Sequence, residues 1–359
     1  MRRRQFLAYL GAAASLSLAG CSSGPAGTEA SSPTAAAATP SPSQSESEGA
    51  YVPSHRDMME MIGMQRDGRL LVTLSYTLPH EFFVVTGTRT NKTSVQSGDT
   101  MHLMTQVMDR ETGVVAPGVE PTVTIWKDGE RVTANQPWPM LSEPMGFHFG
   151  DNIAEAGTAT YRFEVALNRP SGALSDDVAD VFTDETVTFE TEFDPASSAE
   201  LGFQSTGDDA GSPGAIAPMQ MEMMTVPQQP TYGSMPIEVT DPQITDDVAV
   251  SVGTHGDPAS LGFSEGDRAL VAATQSRYNR YPLGFMGVRA TVTRDGEEVF
   301  AGDLTSAVSG ELGHYYGAGV PPLDSGDTVE LEFTTPPQIA RHRGYEKAFL
   351  ELEPLTYTL

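Results

Sequence analysis

Among 359 residues there is one cysteine, Cys21. A lone thiol excludes any disulfide within the chain and any zinc site built from cysteines. Basic side chains are also scarce: 21 Lys and Arg stand against 48 Asp and Glu, a formal net charge of −27. So acidic a surface repels polyanions, which excludes nucleic acid as a partner and argues against anionic lipid. Acidity dispersed over the whole chain with few lysines is the solvation strategy of proteins that live in high salt, so a haloarchaeal source is expected. Apolar runs long enough to span a bilayer, about 18 residues or more, are missing, and so is any helix-length periodic segment. There is no nucleophile elbow, no phosphate-binding glycine loop and no HExxH. The expectation is a non-enzymatic protein.

What is present begins at the N-terminus. Arg3-Arg4-Gln5-Phe6-Leu7 is a twin-arginine export pattern, followed by a short apolar run, Ala8 to Leu18. It ends in Leu18-Ala19-Gly20-Cys21, a lipobox-like sequence in which Cys21 becomes the acylated residue. Residues 1–21 are therefore expected to be a signal peptide, with the mature protein exported and anchored through a lipid at Cys21 to the outer face of the cell membrane. Residues 22–50, rich in Ser, Thr, Pro and Ala and without an aromatic or basic side chain, cannot bury enough apolar surface to offset chain entropy and read as a disordered stalk.

Beyond the stalk, 35 Gly and 26 Pro favour turn-rich β structure. RLLVTLSY from Arg69, EFFVVT from Glu81, TATYRFEV from Thr158 and TVTFETEF from Thr186 read as strands, several of them alternating cleanly. Lys127-Asp128-Gly129-Glu130 carries the strongest short hairpin signal. About seven short strands with regular turns predict an all-β fold, an immunoglobulin-like β-sandwich over residues 51–194. Residues 195–231, rich in Gly, Pro, Ser and Gln, read as a linker whose Met219-to-Met224 cluster docks on a neighbouring sheet. The first pattern then restarts over residues 232–359. Arg294-Asp295-Gly296-Glu297 answers Lys127-Asp128-Gly129-Glu130, and Gly313-His314-Tyr315-Tyr316-Gly317 answers Gly146-Phe147-His148-Phe149-Gly150. Landmarks in the same order at near-equal spacing predict two tandem sandwiches.

Chemistry concentrates on histidine and methionine. Alternation places His102 and Met104 on one face of the strand starting at Met101. A loop from Trp138 to Asn152 carries Met140 and His148. Met58, Met59, Met61 and Met64 crowd the segment after the stalk, where the bland reading is packing against a sheet and the sharper one is a soft ion. Histidine in a Gly-rich aromatic loop can also cap a turn through its ring nitrogens; this applies to His148 and more strongly to His314. His55, His80 and His255 read as solvated.

The Pro-Met and His-aromatic-Gly-Asp-Asn of the Trp138 loop resemble the Met-Pro-Met…His-Tyr-Gly…Asn loop of bacterial periplasmic proteins associated with ferrous iron uptake, the family that includes a treponemal membrane lipoprotein. The resemblance implies an immunoglobulin-like fold, dimerisation, and binding of copper or another transition metal. The family's ligands are a His-x-Glu pair on a strand, a Met and a His in the loop, and a His near the C-terminus. Carried over, the strand pair falls on His102 and Met104, with Met in place of Glu, and the loop pair on Met140 and His148. In the second repeat the strand pair becomes Leu270 and Ala272 and the loop retains His314. Arg341-His342-Arg343 resembles the C-terminal stretch, so His342 supplies the remaining ligand if the two sandwiches pack as a pseudo-dimer. Two His and two Met without carboxylate or thiolate favour copper over iron, with a metal transporter as partner. The competing expectation is a surface interaction module with a degenerate metal site, on which Asn91-Lys92-Thr93 would serve as a glycosylation acceptor.

Overall fold

Alternating β-branched and aromatic side chains make strands wherever one sheet face can be covered. That is the organisation of the chain in a computed structural model, which describes residues 49–220 and 225–359. The signal segment with Cys21, the stalk up to residue 48, and Met221, Met223 and Met224 lie outside the described residues.

The first half contains β1 (His55–Asp57), β2 (Met59–Asp67), β3 (Leu70–Thr77), β4 (Phe82–Thr86), β5 (Arg89–Thr93), β6 (Met101–Asp109), β7 (Thr122–Lys127), β8 (Glu130–Asn135), β9 (Trp138–Ser142), β10 (Gly146–Ile153), β11 (Ala159–Leu167), β12 (Ala173–Leu174), β13 (Glu185–Phe193) and β14 (Phe203–Ser205). The second contains β15 (Gln243–Thr245), β16 (Val248–His255), β17 (Arg268–Ser276), β18 (Gly287–Arg294), β19 (Glu297–Ser309), β20 (Gly313–Val320), β21 (Thr328–Thr335), β22 (Ala340–Arg341) and β23 (Leu355–Thr358). The protein is an all-β sandwich fold. Among the described residues no helix is long and apolar enough to cross a membrane.

Two sheets serve the first half, ordered β2-β3-β6-β10-β9-β22-β4-β5 and β13-β11-β7-β8. Their inner faces alternate as sandwich packing requires: along β11, Ala159, Tyr161, Phe163, Val165 and Leu167 are buried and the residues between them are not. The second half repeats the arrangement, and from β6 to β10, matched by β17 to β20, the offset is 167 residues. Asp128-Gly129 and Asp295-Gly296 both turn with positive φ, 48° and 86° against 51° and 85°, which is what a two-residue hairpin demands of its turn residues. One difference is local: β19 runs unbroken and pairs with both β18 and β20, whereas Pro137, lacking an N–H for the ladder, falls in the break between β8 and β9.

The halves also exchange strands. β22 of the second half lies parallel to β9 of the first, Ala340 opposite Met140, and pairs β4 through Arg341 and Phe83. In return β12 lies parallel to β19, Ala173 opposite Ala307. Each is the other's counterpart at the same offset.

Three segments refine or correct the sequence reading. The Trp138-to-Asn152 stretch is two strands, β9 and β10, joined at Glu143 to Met145, because Phe147 and Phe149 alternate with His148 and Gly150 and bury in the core. The Met-dense segment after the stalk is strand, with Met61 and Met64 packed against the core. Residues 195–231 carry a 3-10 turn at Pro195–Glu200 and β14, which pairs with β1.

Candidate metal centre

Register places the side chains. On β6, His102 stands opposite Asn152 and Met104 opposite Gly150; on β9, Met140 stands opposite His148. Period two puts His148, Gly150 and Asn152 on one face of β10, so all these residues share a single patch of sheet. β22 ends at Arg341 between β9 and β4, which delivers His342 to the edge of that patch, and the turn before β4 delivers His80. Arg343 and Lys92 both pair with Glu81, Arg343 Nε at 3.0 Å, and clamp the His80 turn to the His342 segment. Burial draws the Glu81 carboxyl upward, but the two cations outweigh it and hold it below the usual carboxylate range.

The imidazoles crowd together. Ring centroids lie 4.2 Å apart for His80 and His102, 4.7 Å for His80 and His342, 5.1 Å for His148 and His342, and 5.6 Å for His102 and His342. Ligand-capable nitrogens of His80, His102 and His342 all fall within 4.8 Å of one another and could hold a metal ion. Gly150 leaves the space between them: a Cβ there would meet His102 Nε2 at 2.7 Å and Met140 Sδ at 3.2 Å.

Hydrogen bonds settle the tautomers. Asn152 Nδ2 donates to the His80 carbonyl at 2.9 Å, so its Oδ1 accepts from His102 Nδ1 at 2.9 Å. His148 Nδ1 donates to the Gly146 carbonyl and His80 Nδ1 to the Leu78 carbonyl, each at 3.0 Å. His80 Nε2 then accepts from His342 Nδ1 at 2.9 Å. The Nε2 atoms of His102, His148 and His342 are left as lone pairs, all buried and without a hydrogen-bond partner among the described residues. Buried acceptors without partners are costly, and outer hydrogen bonds that fix a ring so that its second nitrogen faces inward are the pattern around metal-ligating histidines. The residues present fit a transition-metal ion.

Electrostatics agree with that fit. Burial pushes the His148 imidazole down to about 4, against the Gly146 carbonyl and helped by nearby His80. His102 and His342 are pushed well below the usual range by burial first and by the neighbouring imidazoles second, and burial lowers His80 as well. At neutral pH all four rings are uncharged, the form that ligates metal.

Of the residues singled out in the sequence, His102, Met140, His148 and His342 come together here. Met104 sits beside them, opposite Gly150 and lining an adjoining cleft. His80 was expected to be solvated and is instead part of the cluster; its position depends on the β22–β4 pairing, which leaves no local mark in the sequence.

His314 requires a correction. At the offset of 167 residues the counterpart of His148 is Tyr315, and His314 matches Phe147; likewise Ala269 and Val271, not Leu270 and Ala272, replace His102 and Met104. One residue along a strand is the other face of the sheet. Gln106, Met140 and Met145 correspond to Ala273, Ala307 and Leu312, and these join Ala269, Val271 and Tyr315 in an apolar cluster. The second repeat has packed its copy of the centre with hydrocarbon. His314 bonds through Nε2 to Ser306 Oγ at 3.0 Å and is buried outside that cluster.

Two outcomes follow for these supporting groups. Asn152→Ala frees both the His102 ring and the His80 backbone; metal affinity is expected to fall about 10- to 100-fold, measured by chelator competition. Burial pushes His314 down to about 3. The unfolded chain therefore binds a proton from about pH 6.5 downward that the folded chain refuses, and this share of stability is lost as pH falls toward 3. His314→Gln should flatten the decline by at most about 1.4 kcal/mol per pH unit, read by urea unfolding at pH 7, 6 and 5; equal slopes would place the sensitivity elsewhere.

Residues 233–358 match a family model described as a domain of unknown function, DUF7350. No curated protein matches the chain. Among solved structures it is similar to FetP of uropathogenic Escherichia coli strain F11, as isolated after expression in the periplasm: 16% identity, TM-score 0.31, covering 38% of this chain and 95% of that one. A copper-bound variant of the same protein matches at 16% identity and TM-score 0.29, over 38% of this chain and 97% of its own.

Proposed function

We propose that this chain is an exported, lipid-anchored, non-enzymatic transition-metal-binding protein of an uptake system, its two sandwiches packed as a pseudo-dimer around one centre. His102, His148 and His342 would hold the ion through Nε2 and Met140 through its thioether, with His80 as a further ligand or as the support of His342. The single observation that carries this reading is the set of three buried, partnerless Nε2 lone pairs, each aimed by a hydrogen bond on its own ring. Three imidazoles and a thioether without carboxylate or thiolate favour copper, as Cu(I), over iron. The ion is cargo, and a metal transporter is the partner that would receive it.

The test is metal analysis of the folded protein after loading with Cu(I), Cu(II) or Fe(II). One equivalent of copper, lost in a His102→Ala/His148→Ala double variant, is the expected result. Absence of any stoichiometric metal would leave a surface interaction module as the reading.

A further inference from the structure

Beside the centre lies an open cleft of about 510 Å³, with His80, His342 and Met104 in its wall. One wall is the ribbon of β1 and β14, where His55 and Phe203 meet at a tilt of 55° with ring centroids 5.0 Å apart. From that ribbon inward, polar side chains follow one another at short steps. His55 Nε2 lies 3.8 Å from Asp57 Oδ1, Asp57 Oδ2 lies 3.6 Å from His80 Nδ1, and His80 Nε2 lies 2.9 Å from His342 Nδ1. Side-chain exposure falls along the same line, 35% at His55, 29% at Asp57 and 18% at His80.

Sulfur lines the passage. Met59, Met104, Met145 and Met219 reach the cleft from four separate segments. Filling space does not call for thioethers there, because the second repeat supplies its own control: the positions of Met104 and Met145 are taken by Val271 and Leu312 in its apolar cluster. Met235 still packs in that cluster, so it is these two positions, not the repeat as a whole, that lose sulfur along with the histidines. Thioether and imidazole together select soft cations, and in a wall where Asp57 and Glu81 are balanced by Arg56 and Arg343 the Asp57 carboxylate offers a cation an oxygen donor at the mouth.

We infer that this cleft is the route by which a soft monovalent cation reaches the buried centre, captured at the mouth by Asp57 with His55 and passed inward along the thioethers to His80 and His342. The inference rests on the proposed function. Passage is ligand exchange alone: the ion remains Cu(I) and no electron moves.

The experiment uses the folded protein, anaerobically, with Cu(I) supplied as a coloured bicinchoninate complex whose bleaching reports transfer. Asp57→Asn, and separately Met59→Leu with Met219→Leu, should each slow loading about tenfold while leaving final stoichiometry and affinity as in the unmodified protein. The two variants alter different walls, so misfolding of one leaves the other as the test. Unchanged loading rates in a variant that circular dichroism shows to be folded would overturn the route and leave the centre standing. If the unmodified protein takes no Cu(I) at all, the proposed function fails and the route with it.

Discussion

His342→Ala is expected to weaken Cu(I) binding by at least about 100-fold, beyond the 10- to 100-fold that loss of an outer hydrogen bond brings. His342 is the one histidine of the cluster that comes from the second half of the chain, delivered by β22 between β9 and β4. Removing its ring deletes one of the three inward Nε2 lone pairs. It also deletes the donor to His80 Nε2, so the neighbouring ring loses its support. The fold should survive, because β22 is held by backbone pairing and the His342 backbone N–H donates to the Leu141 carbonyl at 3.1 Å. Stability is expected to drop by about 1–3 kcal/mol, the cost of leaving a buried polar group unpaired. His314→Ala serves as the comparison, since it removes a fully buried ring from outside the centre. Chelator competition on both variants decides the matter: retained affinity in His342→Ala would mean that the first sandwich completes the centre alone.

Gly150→Ala should cut metal affinity at least about 100-fold with a single methyl group. Gly150 lies within β10 without positive φ, so alanine meets no backbone objection. Its Cβ, however, would fall 2.7 Å from His102 Nε2 and 3.2 Å from Met140 Sδ, in the space the ion would use. Asn152 pins His102 through Nδ1, and Met140 is wholly buried, so neither yields freely. Overpacking of this kind costs about 1–3 kcal/mol, visible in urea unfolding of the metal-free protein. Affinity for Cu(I) should fall at least about 100-fold, the larger of the two effects in practice, because displaced donor atoms cannot converge on one point. Wild-type affinity in Gly150→Ala would show that the ion sits elsewhere.

Much of this was legible before any coordinate. Side-chain alternation along β6 and β11, and Asp-Gly turns at residues 128 and 295, are local consequences of strand and hairpin geometry, so they announced an all-β chain and its internal repeat. His102, Met104, Met140 and His148 were identifiable because their residue types and spacing place donors on one strand face or in one short stretch. The errors share a cause as well. Landmarks matched to within one residue are enough to recognise a duplication, yet one residue decides which face of a strand a side chain occupies, and so His314 was paired with His148 when Tyr315 holds that place. In the Trp138 stretch Gly146, Gly150 and two prolines point to a loop and mask the Phe-His-Phe alternation that makes it strand.

Strand class and repeat thus belong to the chain's local chemistry, where each residue answers mainly to neighbours two positions away. The centre belongs to long-range pairing. His80 and His342 meet across 262 positions because β22 inserts between β9 and β4, and the β1–β14 ribbon closes the cleft across nearly 150 more. Such pairings are chosen by the free energy of burying whole sheet faces against each other, a quantity spread over dozens of side chains. No short stretch of sequence records it, and so the ligand from the second sandwich could be named from the sequence only on condition of how the two halves pack.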